Sequence, residues 1–241
     1  MKFFVQILFG LSIVGCTHLQ ENVADKEKVV LVHGFGRSPA AMDSFADYFE
    51  TQGFQVFNLG YSSLTQNMSE IKEEFYNKVD EVIEVSDQTY HFVGHSLGGL
   101  LIRSYLRDRT VKKLGGVVTL GSPSKGTPVV DHLKNKWYFF MTGPAMESLS
   151  AKGSVFLASL KPPYYPLGVI AGVTDRDYGE DIFRGRHDGV VPLESTVVEG
   201  SKDYLVMSVS HHQMRYDREV MRQTLHFLSY SSFAHPENGS D

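Results

Sequence analysis

Ser96 lies in HFVGHSLGGLL (His91–Leu101), just after an apolar run and among three glycines, Gly94, Gly98 and Gly99. Glycine weakens the interiors of strands and helices, so a cluster of them where one hands over to the other marks a tight turn or a close backbone approach. GHSLG also fits G-x-S-x-G, the pattern that lifts a serine hydroxyl on a sharp strand-to-helix bend. The chemistry open to such a hydroxyl is nucleophilic attack on an acyl carbon. An alcohol attacks poorly near neutral pH unless a base takes its proton and an acid orients the base. Residues of those types gather downstream in short stretches: His187 and Asp188 in GRHDGVVP, and His211 and His212 in LVMSVSHHQM. Asp175 and Asp177, in GVTDRD, stand closer to the end of an apolar run and are rival acids. An aspartate before glycine is also an ordinary turn residue that bonds its own backbone.

A scaffold must bring these separate stretches together. From Lys28 the chain alternates strand and helix signals without repeats. KVVLVHG is a continuous apolar, β-branched run, as a strand buried on both faces should be, and TYHFVG, LGGVVTLGS and LGVIAGV read as strands. FQVFNLGY and DYLVMSV read as further strands. Helices are expected over SPAAMDSFADYFETQG, with Ser38 as N-cap, Pro39 first and Gly53 past the end. Others are expected over SEIKEEFYNKVDEVIEV, where Ile71, Phe75, Val79, Val82 and Ile83 keep helical spacing, SLGGLLIRSYLRD and QMRYDREVMRQTLHFLSY. The alternation predicts an α/β fold: a mostly parallel sheet with helices on both faces and its chemistry at the strands' carboxyl ends. Residues 123–166 break the rhythm with WYFFMTGP and KPPYYP, and are expected to form a small cap insertion.

With the elbow between its strand and helix, the chain from Lys28 to Tyr230 resembles the α/β-hydrolase family, particularly its bacterial lipase and esterase branch. It lacks the first antiparallel strands of larger members, which implies a reduced sheet of about six strands. The resemblance implies the order Ser96, Asp188, His211, with Asp175 as alternative acid and His212 as alternative base. It also implies that the backbone amides of Leu97 and Phe35, the latter in VHGFGRS, form the oxyanion hole. His95 and His187 read as packing residues. The implied activity is hydrolysis of carboxylic esters through an acyl-enzyme, on a small-molecule or lipid ester, with no cofactor. A thioesterase, an amidase or an acyltransferase would use the same groups, and a non-catalytic envelope lipoprotein of hydrolase-like fold is the reading from another class.

Composition bounds partners and place. The 241 residues suit one domain, and a net charge of −5 argues against nucleic acid. The basic stretch Arg103, Arg107, Arg109, Lys112 and Lys113 reads as a solvated helix end. No zinc-type spacing links the histidines, and no calcium ligand set stands out, so no metal is expected. MKFFVQILFGLSIVGC has one lysine, an apolar run too short to span a bilayer comfortably, and the sole cysteine after small residues. It resembles a bacterial lipoprotein signal with Cys16 acylated. The expected layout is a signal at 1–15, a lipidated tether at 16–27, a hydrolase domain at 28–232 and a polar tail at 233–241. By resemblance to the lipoprotein sorting pattern, Thr17 rather than Asp after the cysteine implies an exported lipoprotein held on the periplasmic face of the outer membrane.

Overall fold

A computed structural model describes residues 26–83, 88–137, 139–175 and 182–235; Cys16, the signal-like segment and Asp177 lie outside them. Strands β1 (Lys28–Val32), β2 (Gln55–Leu59), β3 (Tyr90–His95), β4 (Leu114–Leu120), β5 (Leu167–Val173) and β6 (Asp203–Ser208) form one six-stranded parallel sheet in the order β2-β1-β3-β4-β5-β6. The helices are α1 (Asp43–Thr51), α2 (Met68–Val82), α3 (Leu97–Asp108), α4 (Pro128–Leu133), α5 (Val155–Ala158), α6 (Leu193–Thr196) and α7 (Arg218–Tyr230). The expected reduced sheet is present in this all-parallel form.

Alternate residues of the central strands feed two cores. Val30, Val32, Phe92, Val117 and Val169 point to the layer of α2 and α3, where Ile71, Phe75 and Leu101 are fully buried. Val29, Leu31, Val93, Val118 and Ile170 point to the layer of α1 and α7, against Phe45, Phe49 and Phe227. Each such large side chain contributes roughly 1.5–3 kcal/mol by leaving water. The edge strands β2 and β6 are only partly buried, which explains their mixed sequences. After β1 the chain builds β2 on one side and then returns to place β3 on the other. The loops after β1 and β3 therefore diverge over a crevice at the carboxyl edge, the usual ligand position in an open α/β sheet.

Four details differ from the sequence reading. The helix expected from Ser38 is a 3-10 turn at Pro39–Met42 followed by α1, and the Ser38 side chain makes no capping bond. The last helix is likewise split: a 3-10 turn at Gln213–Arg215 precedes α7, whose true N-cap is Asp217, bonded to the amides of Glu219 and Val220. Arg103 is not solvated but buried, donating to Ser124 Oγ and the Lys161 carbonyl, each at 3.2 Å. Arg107 reaches the Ser159 carbonyl at 2.8 Å, so α3 grips the far end of the insertion with two guanidiniums. Finally, Phe233, assigned to the tail, is buried 4.9 Å from the Phe227 ring, and its amide donates to Asp203 Oδ2.

Candidate active site

The elbow is a product of crowding. Ser96 closes β3 and opens α3 with φ 55° and ψ −122°, a backbone position that L-residues rarely occupy. A Cβ on Gly94 would collide with the backbone of Gly98 and Gly99, and one on Gly98 would meet the Val32 and His33 carbonyls. Helix α3 thus starts against the ends of β1 and β3, and only glycine fits there. The strained residue is held from both sides: its amide donates to the Leu120 carbonyl and its carbonyl accepts from Ser122 Oγ, both at 2.8 Å. Its hydroxyl makes no hydrogen bond among the described residues and belongs to the wall of a cavity of about 140 Å³.

His211 borders the same cavity. Its Nδ1–H donates to Asp188 Oδ2 at 2.7 Å, and its amide donates to the Asp188 carbonyl at 2.8 Å. The other carboxylate oxygen of Asp188 accepts the amides of Val190 and Val191 at 2.9 and 2.7 Å. Both side chains are buried, so the pair keeps one geometry: imidazole Nδ1 is committed to Asp188, and Nε2 is left as the acceptor for a proton. Directly beneath lies Gly121, at φ 56°; a Cβ there would come within 3.0 Å of Asp188 Oδ2 and 3.1 Å of His211 Nδ1.

The loop after β1 completes the site. Phe35 borders the cavity, and the next amide, of Gly36, is tied to Ser63 Oγ at 2.8 Å. His33 donates Nδ1–H to the Gly34 carbonyl at 2.8 Å while its Nε2 accepts the Tyr61 amide at 3.3 Å, and the two rings stack 4.4 Å apart. Burial holds the His33 pKa below its ordinary value, keeping the ring in the neutral form this arrangement needs. Leu97 is the first residue of α3, so its amide has no intrahelical acceptor and points where anions are favoured. The remaining wall is apolar: Val129, Val130, Met146 and Leu149 come from the insertion, and Val190 and Val191 from the Asp188 loop.

The structure thus brings Asp188 and His211 together and sets them with Ser96, Phe35 and Leu97 at one edge of the sheet. His212 is exposed, 5.8 Å from the His211 ring and without a bond to Asp188. Asp175 is exposed past the end of β5. His187 stacks 4.0 Å from Phe183 and accepts the Gly189 amide, as a packing residue does. His95 does more than pack. It is buried, its Nε2–H donates to the His211 carbonyl at 2.9 Å, and its Nδ1 is enclosed without a partner. Burial, then the proximity of His211, push its pKa well below the ordinary value. Sequence reasoning also missed Tyr61, Ser63 and Ser122; nothing in GYSSL or LGSPS distinguishes them from ordinary loop residues.

Comparison with known proteins agrees with this architecture. The family model described as palmitoyl protein thioesterase matches residues 28–160, more than half of the chain. No curated protein sequence matches it. Among solved structures, the mature lipase BlEst2 of Bacillus licheniformis is similar at 18% identity and TM-score 0.69, covering 86% of this chain and 92% of its own. A metagenomic carboxyl esterase, MGS0156, is similar at 18% identity and TM-score 0.57, covering 77% of this chain and 64% of its own. Phospholipase PlaB of Legionella pneumophila is similar at 16% and 0.59, covering 71% and 46%. At such identities the likeness is one of fold. With its elbow, its six parallel strands and the matched family over residues 28–160, the chain belongs to the palmitoyl protein thioesterase family and is an α/β-hydrolase of the lipase, esterase and thioesterase type.

Proposed function

We propose that the protein hydrolyses carboxylic esters through a Ser96–His211–Asp188 triad. The observation that carries this reading is the 2.7 Å bond from His211 Nδ1 to Asp188 Oδ2, in a ring that shares a cavity with Ser96. His211 Nε2 takes the Ser96 proton as Oγ attacks the acyl carbon, and Asp188 stabilises the imidazolium that forms. The Phe35 and Leu97 amides receive the tetrahedral oxyanion, each worth about 3 kcal/mol in the transition state. Collapse transfers the proton from His211 to the leaving oxygen and leaves an acyl-Ser96 ester. Water, deprotonated by the same imidazole, then releases the carboxylic acid.

The apolar wall suits an acyl chain. About 140 Å³ is on the scale of the roughly 150 Å³ cavity that admits one benzene, so short chains fit without moving the insertion. Ser96→Ala is expected to abolish turnover of p-nitrophenyl butanoate and labelling by a fluorophosphonate probe; retention of either refutes the nucleophile. A second reading, thioester hydrolysis, is favoured by the family match. It uses the same acyl-enzyme and is separated by comparing butanoyl ester and thioester at equal acyl chain. We further propose that acylation at Cys16 holds the enzyme on a membrane, because multiple acyl chains anchor stably. Cys16→Ser should move the activity from the membrane fraction to the soluble one.

A further inference from the structure

The rim of the cavity departs from its apolar wall. Arg37 follows the oxyanion loop and borders the cavity, as does His212. Arg37 is exposed and makes no hydrogen bond or ion pair among the described residues. Arg215, three residues beyond His212, donates Nη1 to the Ala41 carbonyl at 3.4 Å, and its Nε is buried without a partner among the described residues. Burial, then Arg37, hold the Arg215 pKa down. The His212 pKa is held down by burial first, then by His211, Arg37 and Arg215. The three groups therefore sit within one another's field. The carboxylate felt by His212 is Asp188, already committed to His211 and two backbone amides. In a chain of net charge −5, Arg37 at the cavity mouth, with Arg215 acting on it and neither paired to a carboxylate among the described residues, is an arrangement that a bound anion relieves.

Their position says which part of a substrate would carry that anion. His211 delivers its proton to the leaving atom, so the leaving group departs on the His211 side, while Val129, Val130, Met146 and Leu149 take the acyl chain. His212 follows His211 directly in sequence and borders the cavity together with Arg37. We propose that this cationic rim is a leaving-group subsite, and that the preferred substrates are esters or thioesters whose alcohol or thiol portion bears a phosphate or carboxylate. This inference rests on the triad reading above.

The test compares two butanoyl esters on the purified full-length protein: 4-nitrophenyl butanoate, and its analogue with a carboxylate beside the nitro group. At low salt the anionic ester is expected to show about tenfold higher kcat/KM, the size of one partly screened charge pair. The preference should shrink toward parity near 1 M salt, where the Debye length falls to about 3 Å. Arg37→Gln combined with Arg215→Gln should bring the ratio of the two kcat/KM values to about one, and Arg37→Glu should invert it. Equal efficiency in the unmodified protein, or a ratio that survives both substitutions, overturns the subsite while leaving the triad standing. Failure to turn over either ester overturns the triad and the subsite with it. Vesicles of phosphatidylglycerol against phosphatidylcholine, which share the phosphate but differ in net charge, locate the anion's source: a matching preference for the former identifies a net anionic lipid head group, and its confinement to the soluble ester identifies a soluble anion.

Discussion

Around Ser96 the backbone is crowded by its neighbours, whereas between Pro123 and Pro166 short helical turns leave large apolar side chains in water. The elbow is bounded by Gly94 and Gly98, with no room for a methyl group, and by a hydrogen bond to the Leu120 carbonyl and one from Ser122 Oγ. The insertion exposes Trp137, Met141, Val155 and Tyr164, and α3 holds both its ends by guanidinium donors, to Ser124 Oγ at the start and to the Ser159 and Lys161 carbonyls near the finish. One region is fixed by crowding; the other supplies the apolar wall of the cavity. Catalysis needs the first for chemistry and the second for admission of an acyl chain.

Changes at the fixed region should be the most costly. Asp188→Asn leaves the shape but places a donor where the carboxylate accepted Nδ1–H, favouring the wrong imidazole tautomer. The expected loss is roughly 10⁴-fold in kcat with KM nearly unchanged, read from steady-state ester hydrolysis. A loss under tenfold would show that Asp188 holds the loop without serving the base. Next in size is Gly98→Ala, which drives a methyl group into the Val32 and His33 carbonyls. Destabilisation of about 3 kcal/mol by urea titration is expected, because backbone cannot yield as a side chain does. Retention of wild-type stability would mean that α3 can slide, and the contrast between the regions would weaken.

These two positions also show what was legible in the sequence. Glycines in the elbow and the two downstream loops are local signals, and each marks a backbone constraint that holds before folding. The parallel sheet followed from apolar runs separated by helical periods. Arg103 was misread because a helical wheel around α3 does not reveal that the chain returns some twenty and then sixty residues later to lay Ser124 and the Lys161 carbonyl over that face. His95 was underread for the same reason: its partner is a backbone carbonyl 116 residues away, and carbonyls have no sequence signature. Ser38 was a sound cap by type, but its side chain makes no capping bond, and the turn it precedes is a 3-10 turn that ends on the buried Met42. The Cys16 expectation concerns residues outside the described ones.

His95 offers a smaller break. Replacing it with Phe keeps a flat ring beside His211 but removes the proton that the His211 carbonyl accepts. Leaving a buried carbonyl unpaired costs about 1–3 kcal/mol. If that cost falls on the position of the base, kcat should drop about tenfold with KM unchanged. A Gln variant, which restores a donor, should recover part of the loss; equal kcat in the Phe variant and the wild type would reduce His95 to packing.

The buried histidines also set an acid limit. Burial lowers the pKa of His33, His91 and His95 in the native state, so below the unfolded value near 6.5 the unfolded chain binds protons that the native chain refuses. Stability from these groups is therefore fully present above that pH and declines as pH falls through it. Each contributes a slope of up to about 1.4 kcal/mol per pH unit between its native and unfolded pKa values. Urea midpoints between about pH 7 and pH 5 should fall accordingly, and His95→Phe should reduce the slope by up to one histidine's share. A flat profile would mean that the native state admits protons at these rings.

The insertion should answer in the opposite way. Met141 is 69% exposed and Val155 86% exposed, so Met141→Ser and Val155→Ser remove side chains that already contact water. Substitutions of this kind change stability by no more than about 0.5 kcal/mol. Because Val129, Val130, Met146 and Leu149 form the apolar wall of the cavity from within the same insertion, a change in how that insertion packs should appear as a change in chain-length preference. With butanoyl esters the two variants are expected to match the wild type. With dodecanoyl esters, which overfill about 140 Å³ and require the wall to move, KM should shift a few-fold while kcat on the short ester stays constant. Equal shifts on both chain lengths would place the insertion with the fixed region, and the division between a rigid elbow and a yielding wall would be lost.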